Sequence, residues 1–315
     1  MSNPPELRSL FFPYATRQLA AMKEAGFLVH YTSAAGAANI LRSREVWMRK
    51  TRAMNDFSEV EHGKECLREA YAGEAGTRFS RALESVFPGI KGKLESAFNG
   101  WLPHFEKDTF VTSLSEHLAS ENELGRLSMW RAYGQGSGVA LVVRMTPFES
   151  ESDALKAYSS PVAYLSRAGF ASEFAALAAN IEANRDVLSA HGEELTLGNA
   201  FTMLRFAMLC TKHLGFAEER EWRVLHNPRL EPSERLRTSV ELIHGTPQRV
   251  YRIPLESLPE EGLAGMEVAE LLERVIIGPC ADPILMWEGF VELLTEAGVP
   301  NAHERIVISN IPLRI

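Results

Sequence analysis

The sequence predicts an α+β fold: a mixed or antiparallel sheet core with a helical insert. Three observations carry this. Short apolar or alternating runs recur from residue 27 to residue 310, helical patterns lie between them, and one long helical stretch covers 168–215. Since strands are spread from end to end, the chain reads as a single domain, 1–315, with 168–215 inserted.

In order, "FLVHY" (27–31) reads as a strand, bounded by Gly26. Ser33 can cap the following helix, whose apolar face holds Ala37, Ile40 and Leu41. "EVWM" is a short strand. Asp56 can cap the next helix, which runs to about Ala72, and Glu59 completes a capping box with it. A further helical stretch covers Arg78 to Leu94. "DTFVTSLSE" alternates, with Phe110, Thr112 and Leu114 on one face and Val111, Ser113 and Ser115 on the other. "NELGRLSMWRAYG" is a helix stopped at Gly134, and "GVALVVRM" a buried strand. "SPVAYLS" reads as another strand. The insert reads as two helices broken near Ser189–Gly192. "REWRVLHN", "QRVYRIPL", "LERVIIGP" and "ERIVISNI" are strands, with a helix over Pro283–Ala297 before the last of them.

Composition narrows the function. The chain has 315 residues, 45% hydrophobic and 23% charged, and the charge is −8, which disfavours general nucleic-acid binding. A nuclease has further against it the lack of a metal-ligand cluster. Cys66, Cys210 and Cys280 form no CxxC pair and are odd in number, so no disulfide framework is expected. Cys210 and His213 can share a helix face, but two ligands do not make a zinc site. The start lacks a signal-peptide layout, and no window holds 18 uncharged apolar residues. The expectation is a soluble cytoplasmic protein without metal or membrane span. "GQGSG" (134–138) follows a helix and opens a strand, the reverse of a dinucleotide fingerprint. No Ser-His-Asp spacing, HExxH or Walker loop occurs.

Three places combine chemistry. These are His30-Tyr31-Thr32, then Ser113 and Ser115 followed by Trp130 and Tyr133, and then "AEEREWRV". In an extended chain Glu219 and Glu221 would project to one face. Two like charges side by side raise one pKa, and a carboxylate can stabilise the cationic sugar formed when an N-glycosidic bond breaks.

The motifs "LVHYTS…ILRSREVWM…MNDFSEVEHG…FVTSLSE…MWRAYGQGSGVALVV…KHLGFAEEREWRV…VIIGP…ISNIPLR" resemble the DUF2971 family, a bacterial domain of undefined function, from Leu28 to Arg314. The order His, Ser/Tyr strand, Glu-x-Glu is also similar to ADP-ribosyltransferases. That second resemblance implies an ADP-ribosyltransferase-like fold using NAD as substrate, with ADP-ribose passed to an acceptor macromolecule or NAD hydrolysed. It implies His30 on the adenosine ribose, Tyr31 or Tyr133 stacked on a ring, Glu221 as catalytic carboxylate and Glu219 positioning the acceptor. Thr32, Ser113, Ser115 and Trp130 complete the implied cofactor site. The central strand reads Thr-Ser-Leu-Ser where that family has Ser-Thr-Ser, and "MND" has no role in the scheme.

Each residue has a structural reading too. His30 can be a core histidine, Trp130 and Tyr133 an aromatic core pair, and the serines the polar face of a strand. Asn55, Asp56 and Glu59 can serve capping, and Glu221 can pair with Arg223 at the surface. A function of another class is a non-catalytic module that senses a nucleotide or a partner in bacterial stress or phage defence.

Overall fold

The computed structural model describes residues 7–51, 57–134, 136–243 and 245–312. Twelve strands occur among them. They are β1 Phe27–Ser33, β2 Glu45–Lys50, β3 Phe110–His117, β4 Gly138–Arg144, β5 Tyr158–Pro161 and β6 Ala163–Tyr164. Then follow β7 Thr211–Lys212, β8 Glu221–His226, β9 Arg237–Ile243, β10 Thr246–Pro254, β11 Leu272–Ile277 and β12 Ile306–Ile308. The chain forms two compact units. One takes residues 1–20, 51–109 and 160–217; the other takes 21–50, 110–159 and 218–315.

The first unit is mostly helical. Its helices include Phe57–Ala72, Glu74–Glu84 and Ile90–Asp108, then Arg167–Ala183, Arg185–His191 and Glu193–Leu209, beside the parallel pair β6–β7. The buried rings of Phe79, Phe105 and Phe174 anchor its core. Two sequence readings change here. The stretch from Arg78 to Leu94 is two helices, because Gly89 takes φ 88 after Pro88 and starts a new one. The insert holds three helices, the break at Gly192 falling where the sequence placed it. The Asn55, Asp56 and Glu59 capping reading lies outside the residues whose side chains are described.

The second unit is built on a sheet in the order β12-β11-β4-β1-β3-β2-β10-β9, with β8 also on β3. The pairings along this order are antiparallel except β11–β12, and β8 runs antiparallel to β3, so the sheet is mixed, as the strand pattern predicts. β4 from Gly138 to Val143 and β11 from Val275 to Ile277 are apolar and buried, as strands covered on both faces must be. Ser33 caps the helix Ala34–Ser43, its side chain accepting from the Gly36 amide. β9 is new: its alternating run Arg-Thr-Ser-Val-Glu-Leu-Ile escaped the sequence reading.

On one face of this sheet Val29, Tyr31, Ala140, Val142 and Ile276 pack with Met129 and Trp130 from the helix Leu127–Tyr133. The Trp130 indole packs against three glycines. A Cβ would stand 2.5 Å from its ring on Gly125, 3.0 Å on Gly138 and 2.8 Å on Gly278, so only glycine admits it.

The feature that positions the site is a parting of strands along β3. β1 pairs with β3 only from Phe27 to Val29, against His117 to Ser115. β2 pairs with β3 at Arg49 and Lys50, against Val111 and Phe110. Between them Thr112, Ser113 and Leu114 keep β8 on their other side, where they face Val224, Arg223 and Trp222. β1 continues alongside β4 as far as Ser33.

Candidate functional site in the parting of β1 and β2

His30 is the first residue of β1 beyond its pairing with β3. Its Nδ1 lies 2.9 Å from the Ser113 carbonyl oxygen. A carbonyl only accepts, so Nδ1 carries the proton, and the neutral ring presents Nε2 as an acceptor. Burial holds the imidazole below its ordinary pKa against the opposing pull of the Ser113 carbonyl.

The same Ser113 donates its hydroxyl to Glu221 Oε1 at 2.5 Å. Register explains this: Ser113 faces Arg223 and Ser115 faces Glu221 across β3–β8, and such pairs share one face. Arg223 grips the carboxylate from the other side, Nε to Oε1 at 2.9 Å and Nη2 to Oε2 at 3.2 Å. Glu221 is 6% exposed and Arg223 7%, so this is a buried fork rather than the surface pair the sequence allowed. Trp222 points to the opposite face, buried, its indole N–H on Glu116 Oε1 at 3.2 Å.

The other sequence candidates are distributed as follows. Ser115 is buried opposite Glu221. Tyr31 is core: its ring meets Trp130 edge-on at 4.9 Å and its hydroxyl accepts from the Arg126 amide at 2.9 Å. Burial pushes its pKa up to about 12. Trp130 donates its indole N–H to the Leu124 carbonyl. Thr32 pairs with Val139 and is half-buried, while Tyr133 ends its helix exposed. Glu219 ends a 3-10 turn, Leu214–Glu219, and Arg220 takes φ 43. The extended geometry expected to align Glu219 with Glu221 is therefore broken between them. The helix expected to carry Cys210 and His213 ends at Leu209. Cys210 is buried, and the His213 ring meets His62. Among the described residues no group of three or more His, Cys, Asp or Glu is placed to hold a metal.

One supporting group was not visible in the sequence. Arg126 bonds both Glu121 carboxylate oxygens and the carbonyls of Glu116, Glu218 and Glu219. It thereby ties the end of β3 to the entry of β8, next to Glu221. Burial works against ionisation of Glu121, yet the bonds from Arg126 and the Leu118 amide hold its carboxyl below the usual range. No local spacing signals a clamp of this kind, because the acceptors that reach β8, the carbonyls of Glu218 and Glu219, lie 92 and 93 residues away.

His30 and His117 give a stability prediction. Burial lowers both pKa values, and His117 also bonds Asn122 Oδ1 through Nε2. A group held neutral in the folded state takes up a proton in the unfolded state first. Stability is then full above the ordinary histidine pKa and falls as pH drops through about 6.5. The urea midpoint should decline between pH 7 and pH 5, and the decline should be shallower in His117→Gln. An unchanged slope in that variant would rule His117 out as the source.

The fold and site define an α+β protein whose mixed sheet parts around a central strand to seat a histidine, a serine and an arginine-bound glutamate. The family model described as a protein of unknown function, DUF2971, matches residues 129–224. That span runs from Met129 into β8 and includes Trp130, Tyr133, Glu219, Glu221 and Arg223; His30 and Ser113 precede it. No curated protein and no solved structure matches the chain. None of the described helices is long and apolar enough to cross a membrane.

Proposed function

We propose that this site binds NAD and that the protein transfers ADP-ribose from it to an acceptor, or to water. What supports the reading is one observation: the His30 imidazole and the Glu221 carboxylate are linked through a single residue, Ser113, where β1 and β2 part. His30 Nε2, the acceptor of a neutral ring, suits a ribose hydroxyl. In the reaction the bond from the ribose anomeric carbon to nicotinamide breaks, and nicotinamide leaves with the electron pair. The acceptor's nucleophile, or water, bonds to that carbon and loses its proton. The Glu221 carboxylate stabilises the cationic sugar between these events. Incubation with NAD should release nicotinamide, and Glu221→Gln should slow release by about 10²-fold or more. His30→Ala should weaken the thermal shift given by NAD. Absence of both release and shift in the native protein rejects the reading.

A second reading rests on the fork from Arg223. A carboxylate already bound by a guanidinium has part of its charge offset, which suits a module that senses a nucleotide without chemistry. Under that reading NAD shifts the melting of both the native protein and Glu221→Gln, and no nicotinamide appears.

A further inference from the structure

The sheet ends at β9, and its outer edge is open: among the described residues β9 pairs with β10 and with no other strand. Pro247, opposite Leu242, has no N–H to give, so that pair is of the non-hydrogen-bonded kind. By alternation Thr238, Val240 and Leu242 turn their N–H and C=O groups outward. The same residues carry exposed side chains, Val240 at 68% and Leu242 at 72%. Monomeric proteins blunt such an edge with proline, a bulge or charged side chains. β9 has no proline or bulge, its register with β10 is unbroken, and its two charges, Arg237 and Glu241, stand on the face away from Val240 and Leu242.

The strand is complementary to itself. On the opposite face stand Arg237, Ser239 and Glu241, a cation and an anion equally spaced about a serine. Laid antiparallel on a second copy and centred on Ser239, Arg237 falls opposite the partner's Glu241, and Glu241 opposite the partner's Arg237. Thr238 then faces the partner's Val240, which matches outward backbone to outward backbone. Val240 and Leu242 are covered beside the partner's Thr238. The ionic residues fall in the closer, non-hydrogen-bonded pairs, where side chains meet best. A register centred on Val240 would place Arg237 against the partner's Ile243 and lose both ion pairs. Within its own sheet Arg237 bonds Glu45 while remaining 74% exposed, and Glu241 accepts from Ser239 and Arg252 through Oε1; the remaining donors of the guanidinium and Oε2 of the carboxylate serve the pair across the axis.

We infer that β9 is a homodimer edge, joining two copies of this chain into one continuous sheet about a two-fold axis at Ser239. Light scattering on the full chain, at concentrations on the order of 100 μM, should give twice the monomer mass. Val240→Lys, at an exposed position, should weaken the dimer by about 10-fold or more with an unchanged circular dichroism spectrum. Ser239→Cys should form a disulfide-linked dimer on oxidation, since facing residues in such a pair lie within bridging distance. The native protein, whose cysteines are elsewhere, is the control. A monomeric native protein overturns the inference. So does a dimer that persists in Val240→Lys, or one that Ser239→Cys fails to cross-link. Occupation of the edge by a different protein, with no self-association, overturns it as well.

Discussion

Glu221→Ala is expected to destabilise the second unit by about 3–5 kcal/mol, the usual effect of breaking a buried ion pair from one side. The guanidinium of Arg223 loses both oxygens that its Nε and Nη2 hold, and Ser113 loses the acceptor of its hydroxyl. The cost arises because Arg223 stays charged in a place with little water to replace the carboxylate. Removing both members tests this. Glu221→Leu combined with Arg223→Met should be less destabilised than Glu221→Ala alone, because the buried guanidinium that Glu221 held is removed together with the carboxylate. Urea unfolding of the singles and the double measures the coupling. A double variant as unstable as the sum of its singles would mean that the fork contributes nothing. The same comparison serves the functional reading, since it separates loss of nicotinamide release from loss of fold.

Trp130→Ala should cost a similar amount, about 3–5 kcal/mol, by leaving a cavity under the helix Leu127–Tyr133. The indole is 3% exposed, meets the Tyr31 ring edge-on and lies over Gly138 and Gly278. These neighbours are backbone, held in strands or next to them, and they have little freedom to close the gap. A fall in the urea midpoint at constant slope is the expected result; a change of less than 1 kcal/mol would mean that the site collapses easily.

Much of the sheet was legible because its strands are short apolar runs between turn residues. β1, β3, β4, β8, β10 and β11 all fall where the sequence placed strands. β9 was not legible for the reason that makes it an open edge: its apolar residues face solvent, so no buried stripe marks it. Arg78 to Leu94 read as one helix because helical periodicity runs through a break that Pro88 and Gly89 impose. At the site, the sequence grouped His30, Ser113 and Glu221 by their order along the chain alone. What joins them is register: a serine meets a glutamate 108 residues later because β3 and β8 pair at one offset. Register also explains why Tyr31 turned out to be core, since alternation sends it to the face that the helix Leu127–Tyr133 covers. Glu219 was misjudged in its backbone: the extended chain assumed for it is a 3-10 turn followed by a left-handed Arg220.

β3 receives β1 and β2 along one border and β8 along the other, and Ser113 is bound by His30 from 83 residues before it and by Glu221 from 108 residues after it. During synthesis the histidine and the serine leave the ribosome long before the glutamate does. The bond from His30 to Ser113 needs only β1 and β3, whereas the bond from Ser113 to Glu221 waits for β8, and until β8 arrives the central strand has a bare side open to wrong partners.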